Sequence, residues 1–311
     1  MKILVTGGKG LVGTALSDLK TDHDIVCVGK LDYDLMKKSD CNKMILDILP
    51  DCMIHLAARV GGIKGNTDRP ADYFYDNIMI NTNVLHAAHE CNIKKVISIL
   101  STCIFPDDVN FPIKEEAVHN GEPHESNFAY AYAKRMLEVQ SRAYRKQYGC
   151  NFVTVVPNNI FGENDNFHAT ESHVIPAMIR KFHDAVMNKK DEVKMWGNGK
   201  AMREFTYSKD IAKQLLFIVE NYSEASPINL GNSTEISIAD LALAIQKVSS
   251  FKGTVKWDTA MPTGQLRKPS DKSKMAALGW STEEFCDFDR AIKQTYGWYE
   301  KNYPHVRGVK K

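Results

Sequence analysis

The sequence predicts an α/β fold in which helices cover both faces of a parallel sheet. Two observations lead to this prediction. Short, apolar, β-branched runs alternate with longer helical patterns through the first half of the chain, and strands separated by helices pair in parallel through right-handed crossovers. The runs are also almost uniformly apolar, which is typical of strands that are buried on both faces.

The first half contains five predicted strands with helices between them. The strand runs are KILVT, DIVCVG, DCMIHLA, KKVISIL and NFVTVV, at 2–6, 24–29, 51–57, 94–100 and 151–156. Helical patterns cover 11–19, 39–49, 70–91 and 126–148. This order favours a doubly wound, Rossmann-like parallel sheet.

After residue 158 the pattern becomes less regular. Helical patterns at 174–189, 209–221 and 237–250 and near the end of the chain are interspersed with short strands near 193–196, 203–207, 228–230 and 252–257, and the stretch MPTGQLRKPSD at 261–271 is predicted to be a loop. We expect residues 1–157 to form the sheet domain. Residues 158–311 should form mainly a smaller, mixed α/β domain, with later segments able to return to the sheet.

Composition and charge exclude several classes of protein. Of the 311 residues, 43% are hydrophobic and 25% are charged, with a formal net charge of +2, so a basic nucleic-acid surface is not expected. No apolar run is long enough to span a bilayer, and Met1 leads directly into a strand pattern, so no signal peptide is expected. The seven cysteines are odd in number and include no CxxC pair, which favours a reducing, cytoplasmic location without disulfides.

A metal site is not expected either. His86 and His89 can share one face of the 70–91 helix, but no third ligand accompanies them.

A glycine-rich turn follows the first predicted strand. In TGGKGLVG, Gly7, Gly10 and Gly13 stand between a strand and a helix. Glycines there allow a tight turn and close backbone approach, and the start of the helix offers free N–H groups to a pyrophosphate. The first domain is therefore predicted to bind a dinucleotide.

The second predicted strand indicates which dinucleotide is bound. An NAD site usually has an acidic residue at the end of this strand, where it bonds the ribose 2′-hydroxyl. Here the strand ends in Gly29-Lys30, and Lys9 lies in the glycine turn. Two lysines favour a 2′-phosphate and hence NADP(H), although Asp32 or Asp34 could be the missing acid.

Tyr130 and Lys134 are four residues apart in a strong helical pattern, so both lie on one face of the helix. An ammonium beside a phenol should lower the phenol's pKa, and such a tyrosine can pass a proton to a carbonyl oxygen. Tyr132 is the rival, but its spacing from Lys134 puts it on a different face.

The glycine turn, Ser101 after the fourth strand, and the Tyr130–Lys134 pair together resemble the extended short-chain dehydrogenase/reductase family. The resemblance implies that Ser101 orients a substrate carbonyl, that Tyr130 is the general acid and that Lys134 also binds the nicotinamide ribose. It implies cofactor contacts from the glycine turn, from three strand ends and from catalytic residues: Gly7, Gly8, Lys9, Gly10, Leu11, Val12, Gly13, Lys30, Leu56, Ala57, Ala58, Tyr130, Lys134, Pro157, Asn159 and His173.

A closer resemblance is to the members of this family that epimerise and then reduce GDP-4-keto-6-deoxy-D-mannose. It is carried by STCIFP (101–106), AARVGGI (57–63), DNFH (165–168), SHVIP (172–176) and MWGNGKAMREF (195–205). It implies that Cys103 is the epimerisation base and His173 the acid. Dehydratases of the family have an acidic pair just after the serine, where this chain has Thr102 and Cys103, so dehydration is not expected.

The chemistry explains why a thiol and an imidazole suit this task. A ketone at C4 acidifies the protons on C3 and C5, and inversion needs a base on one face of the ring and an acid on the other. Thiols and imidazoles both titrate near neutrality. Ser101 and Tyr130, bonded to the C4 oxygen, would stabilise the enolate.

The second domain should then hold the nucleotide. The candidate substrate ligands are Lys181 and Arg203 for the diphosphate, Trp196 for the nucleotide end, Asn159 for the sugar, and Lys268. The resemblance also implies a homodimer in which helices 70–91 and 126–148 form a four-helix bundle, with Ala129, Ala131 and Ala133 permitting close approach.

Two other functions compete with this prediction. A nucleotide-sugar 4-epimerase would hold NAD without net redox change. A non-catalytic NADP-binding regulator would have no need of Ser101, Tyr130 and Lys134 together.

Overall fold

Strands and helices alternate through residues 1–261 and 265–309, which are the residues that the computed structural model describes. The strands are β1 (Lys2–Thr6), β2 (Asp24–Val28), β3 (Cys52–His55), β4 (Lys95–Ile99), β5 (Asn151–Pro157), β6 (Asn159–Phe161), β7 (Glu192–Trp196), β8 (Met202–Tyr207), β9 (Ile228–Leu230), β10 (Glu235–Ser237) and β11 (Thr254–Asp258). The helices are α1 (Leu11–Ser17), α2 (Lys38–Ile48), α3 (Ile63–Asp68), α4 (Pro70–Glu90), α5 (Phe128–Tyr148), α6 (Val174–Met187), α7 (Ser208–Asn221), α8 (Ile238–Ser249), α9 (Ser273–Ala277) and α10 (Phe288–Asn302).

The main sheet has six strands in the order β2-β1-β3-β4-β5-β9, all parallel. Apolar side chains cover both faces, in one core cluster with α1 and α7 and another with α2, α4 and α5. This confirms the predicted Rossmann-like α/β fold. The carboxyl ends of β1, β3, β4 and β5 meet at one edge, where parallel sheets of this kind bind their ligands.

A second, smaller unit packs beside that edge. It contains the mixed sheet β10-β8-β6 and the parallel pair β11-β7. Its own core joins α6, α8 and α10. The helices α3 and α9 and the strands β6 and β10 were not predicted, because each is short and lies in a stretch without clear periodicity.

Part of the second half returns to the main sheet. Helix α7 packs against α1, and β9 pairs with β5. The boundary predicted after residue 157 therefore divides the chain only approximately, and it stays a prediction. Residues 262–264 of the predicted loop at 261–271 and the last two residues of the predicted second domain lie outside the described part of the chain.

The helices α4 and α5 lie side by side. Ala129, Ala131 and Ala133 are 7%, 0% and 0% exposed, so they pack inside their own chain. The prediction that these alanines permit contact with a second copy is wrong. The apolar side chains that these two helices leave exposed include Phe74, Tyr75 and Met136.

None of the helices in the described residues has the length and hydropathy needed to cross a membrane. All seven cysteines are unpaired. His86 and His89 contact Tyr144 and Cys150 respectively, so both imidazoles already have partners on the neighbouring helix and its end.

Candidate active site

A cleft of about 1120 Å³ lies between the carboxyl edge of the main sheet and the second unit. It brings together residues that are far apart in sequence, including all five predicted catalytic residues. Of the predicted site residues, Gly8 alone does not line it. A Cβ on Gly8 would stand 2.6 Å from the Cβ of Cys27, and its N–H donates to the Val28 carbonyl at 2.8 Å. Gly8 therefore joins the turn to β2, and its predicted contact with the cofactor stays a prediction.

The glycine turn has the shape that close backbone approach requires. Gly7 has a φ of +68°, and a Cβ there would lie 2.8 Å from the Ala57 nitrogen. A Cβ on Gly13 would lie 2.4 Å from the Cα of Gly8. At Gly10 a Cβ would meet only the Gly7 carbonyl oxygen at 3.2 Å and the Arg307 Nη1 at 4.0 Å, and the remaining space opens to the cleft. The turn can therefore accept a pyrophosphate at Gly10, and the residues present fit a dinucleotide.

The acids that follow β2 are already bonded within their own loop. Asp32 accepts from the Gly29 N–H at 2.7 Å, and Asp34 accepts from the Met36 N–H at 3.2 Å. Lys9 and Lys30 line the cleft, and neither ammonium has an ion-pair partner among the residues described. The open positive charge at this end of the cleft suits a 2′-phosphate better than a free ribose hydroxyl.

Tyr130 and Lys134 both face the cleft from α5. Lys134 is 1% exposed. Its ammonium donates to the Ile99 carbonyl at 2.8 Å and lies 6.0 Å from the centre of the Tyr130 ring. Burial lowers the pKa of Lys134 to about 8. Tyr132 does not line the cleft, and its ring packs against the Arg135 guanidinium.

The expectation that Lys134 lowers the pKa of Tyr130 is wrong for this structure. Burial raises the pKa of Tyr130 well above its ordinary value, and the nearby Cys103 and Tyr73 add to that effect. The ammonium is committed to the Ile99 carbonyl rather than to the phenol, so desolvation dominates. Tyr130 therefore keeps its proton at neutral pH, as a proton donor must.

Cys103 reaches the cleft because Ser101 caps a short helical turn. The Ser101 hydroxyl oxygen accepts from the Cys103 N–H at 3.5 Å, at the start of the 3-10 turn Thr102–Ile104. Burial raises the pKa of the Cys103 thiol, while the Ser101 hydroxyl and the Lys268 and Lys134 charges act in the opposite direction.

His173 stands immediately before α6 and also lines the cleft. The residue is exposed on the wall of this cleft. Burial lowers its pKa, and the Lys268 and Arg307 charges add to the effect. Near neutral pH, Cys103 is therefore a thiol and His173 a neutral imidazole. Lys268 is close enough to affect the pKa of both groups.

The predicted nucleotide ligands lie together at the side of the second unit. Lys181 donates to the Lys194 carbonyl at 2.9 Å and lies 5.6 Å from the Trp196 ring centre. Asn159 donates to the Glu204 carbonyl at 2.8 Å. All of these predicted ligands, including Arg203 and Lys268, line the cleft.

Arg203 has a second role that its sequence position did not reveal. Its guanidinium donates to the carbonyls of Met202, Leu266 and Gln265. These bonds fix the loop that carries Lys268. They also leave Arg203 with few N–H groups for the predicted contact with a diphosphate.

Two residues of the cleft were missed as individual functional candidates. Asp165 is 6% exposed, and burial raises its pKa to about 7. Its Oδ2 has no hydrogen-bond partner among the described residues. Arg307 enters the cleft from the end of the chain. Asp165 was noted only within DNFH, and an arginine after the last helix belongs to no pattern.

This fold and this site together define a dinucleotide-dependent enzyme of the epimerase and dehydratase class. The model of the NAD dependent epimerase/dehydratase family matches residues 3–231.

The relatives narrow the class further. The chain is 43% identical to the GDP-L-fucose synthase of Dictyostelium discoideum, over 98% of this chain and 97% of that protein. It is 33% identical to the GDP-L-fucose synthase of Escherichia coli K12, over 99% of both. A crystal structure of a GDP-L-fucose synthetase from Naegleria fowleri bound to NADP superposes with a TM-score of 0.92 at 38% identity, covering 98% of this chain and 94% of that one. The chain belongs to the NAD dependent epimerase/dehydratase family and, within it, to the GDP-L-fucose synthases.

Proposed function

We propose that this protein converts GDP-4-keto-6-deoxy-D-mannose to GDP-L-fucose, inverting C3 and C5 and then reducing C4 with NADPH. The observation that carries the proposal is one cleft lined by both Cys103 and His173 and by Ser101, Tyr130 and Lys134. Cys103 and His173 have the chemistry that epimerisation needs. The other three residues have the chemistry that reduction of a ketone needs. Lys9 in the glycine turn and Lys30 after β2, neither of which has an ion-pair partner among the described residues, support NADP(H) as the cofactor.

In the epimerisation steps, Cys103 removes the proton from a carbon beside the C4 ketone. Ser101 and Tyr130 bond the C4 oxygen and stabilise the enolate. His173 gives a proton to the opposite face of the same carbon, which inverts it. The active form has Cys103 deprotonated and His173 protonated, and the pKa directions of both groups make this the minor form.

In the reduction step, Tyr130 passes its proton to the C4 oxygen. When bound, NADPH supplies the hydride that goes to C4. Lys134, beside Tyr130 and bonded to the Ile99 carbonyl, holds a positive charge near the alkoxide as it forms and also binds the nicotinamide ribose.

The GDP moiety is proposed to bind along Lys181, Trp196, Arg203 and Lys268, with Asn159 near the sugar. The side chains of Lys181 and Trp196 pack on each other, which supports one continuous surface for a diphosphate and a base. A homodimer built on α4 and α5 and a cytoplasmic location remain part of the proposal.

The deciding experiment is solvent exchange in deuterated water with GDP-4-keto-6-deoxy-D-mannose, with and without NADPH. Wild-type protein should place deuterium at C3 and C5 even without NADPH. Cys103→Ala should abolish this exchange while still binding NADPH, and Cys103→Ser should be nearly as poor because a hydroxyl is far less acidic. Cys91→Ala, which changes a cysteine outside the cleft, is the matched control.

Each alternative outcome has a distinct meaning. Full exchange in Cys103→Ala would remove this thiol from the mechanism. Exchange at neither carbon in wild-type protein, together with tightly held NAD, would favour the 4-epimerase. Binding of NADPH with no turnover of any nucleotide sugar would favour the regulator.

The cofactor preference is tested by dissociation constants. NADPH should bind more tightly than NADH, since only NADPH carries the 2′-phosphate. Lys30→Ala and Lys9→Ala should each reduce the preference by about tenfold, typical of a lost charge-assisted contact. Equal affinities in wild-type protein would mean that Asp32 or Asp34 contacts the ribose instead.

A further inference from the structure

The segment that follows α10 is fixed against the DNFH loop. The Phe167 N–H donates to the Arg307 carbonyl at 2.8 Å, and Arg180 donates to the carbonyls of Phe167 and Gly308 at 3.0 Å each. Val306 is 5% exposed and belongs to the core of the second unit. The backbone is therefore held on both sides of Arg307.

Gly308 makes this close docking possible. It has a φ of +84°, and a Cβ there would lie 2.4 Å from the His168 nitrogen. A larger residue would push the segment away from the loop. The backbone is therefore fixed at this point, and the side chain of the preceding residue, Arg307, extends into the cleft.

The Arg307 guanidinium lies against the glycine turn. Its Nη1 is 4.0 Å from the position that a Cβ of Gly10 would occupy. Arg307 lines the cleft, and its side chain has no hydrogen-bond or ion-pair partner within residues 1–261 and 265–309. Its charge acts on His173 and on the buried Asp165. The guanidinium thus stands between the glycine turn and the reaction side of the cleft.

We propose that Arg307 binds the pyrophosphate of the dinucleotide, holding it against Gly10 from the side of the second unit. This inference rests on the proposed function, which requires NADPH in this cleft. A pyrophosphate joins the two nucleosides of the cofactor. The adenosine end is marked by Lys9 and Lys30 and the nicotinamide end by Tyr130 and Lys134, and Gly10 belongs to the turn between them.

The consequence is that the cofactor joins the two units. Gly10 belongs to the main sheet domain, whereas Arg307 is held by the core of the second unit. A guanidinium offers paired N–H donors to phosphate oxygens, which a lysine does not.

The test measures dissociation constants of NADPH, NADH and GDP by isothermal titration calorimetry. Arg307→Ala should raise the dissociation constants of NADPH and NADH by the same factor, about tenfold or more, because both contain the pyrophosphate. Arg307→Lys should lie between wild type and Arg307→Ala. GDP affinity and the thermal midpoint without ligand should not change, since this side chain bonds to no described residue.

Two comparison variants make the readout specific. Lys30→Ala should weaken the binding of NADPH but not of NADH. In contrast, Arg307→Ala should lower the affinity for both dinucleotides equally. Arg290→Ala removes an exposed arginine of α10 that does not line the cleft, and it should change none of the three constants.

Several results would overturn the inference. Loss of NADPH affinity alone would mean that Arg307 contacts the 2′-phosphate. Loss of GDP affinity alone would assign it to the substrate, and no change in any constant would leave it without a binding role. Failure of the proposed function is a separate readout, because wild-type protein would then show no deuterium exchange at C3 and C5, whatever its affinity for NADPH and NADH.

Discussion

Cys103 and His173 are both held in environments that disfavour their charged forms. Burial is the main cause for each, and it raises the pKa of the thiol and lowers the pKa of the imidazole. Lys268 lies near both groups. Its charge favours the Cys103 thiolate and disfavours the His173 imidazolium. One lysine therefore helps the base and hinders the acid.

We expect Lys268→Met to slow deuterium exchange at C3 and C5 at pH 7 by roughly three- to tenfold, because losing the positive charge raises the pKa of Cys103 further. Exchange needs the thiolate, so its rate rises with pH, and in the variant that rise should move to more alkaline pH. Lys268→Arg keeps the charge and should keep the profile. A rate that falls equally at every pH would show that Lys268 only binds substrate.

Two elements position the reacting groups at this edge of the sheet. The turn between β1 and α1 forms the cofactor end, and the 265–272 loop carries Lys268. That loop is held from β8, where Arg203 donates to the carbonyls of Gln265 and Leu266. Buried Glu204 accepts from the Ser270 hydroxyl at 3.0 Å and from Lys272 at 3.2 Å. Adjacent residues of one strand thus anchor both ends of the loop.

The glycines of the turn differ in the room that each leaves for a side chain, which is least at Gly13 and greatest at Gly10. Gly13→Ala should lower the free energy of unfolding by about 1–3 kcal/mol, because its Cβ would meet the Gly8 backbone at 2.4 Å and the core must shift. Gly10→Ala should cost less stability than Gly13→Ala, because its Cβ would lie 3.2 Å from the Gly7 carbonyl oxygen, but it should weaken NADPH binding, since the added methyl group faces the cleft. Urea unfolding and NADPH titration of both variants check this. An unchanged urea midpoint for Gly13→Ala would contradict it.

At the scale of the whole molecule, the cleft depends on how the two units are joined. The main sheet supplies the cofactor turn, Ser101, Cys103 and Tyr130. The second unit supplies His173 and the proposed GDP ligands. Because α7 and β9 return from the second half to the main sheet, the chain connects the units more than once.

The proposed homodimer is tested by size-exclusion chromatography with light scattering. Exposed apolar side chains on α4 and α5, among them Phe74, Tyr75 and Met136, are the contacts we expect to bury. Wild-type protein should be a dimer at micromolar concentration, and Met136→Glu should shift it towards monomer because a buried, unpaired charge is costly. Leu243→Glu, on an exposed position of α8, should not. A wild-type monomer would refute the dimer.

The features that depend on near neighbours in sequence were predictable. Strand order along the chain follows from apolar runs between helical patterns, and the structure confirms the resulting fold. The spacing of Tyr130 and Lys134 placed both on one helix face, and the glycine turn followed a strand as its mechanism requires. The roles of Cys103 and His173 came from resemblance, and their common cleft supports them without testing them.

Other features depend on packing between distant segments, which no local pattern records. Burial, rather than the nearby lysine, sets the pKa direction of Tyr130. The sequence predicted a face of small residues for contact with a second copy. These residues, Ala129, Ala131 and Ala133, are instead buried within their own chain. Arg307 reaches Gly10 only because the chain end docks on Phe167 and Arg180. Desolvation and long-range approach are properties of the assembled molecule, so only the tertiary structure could decide them.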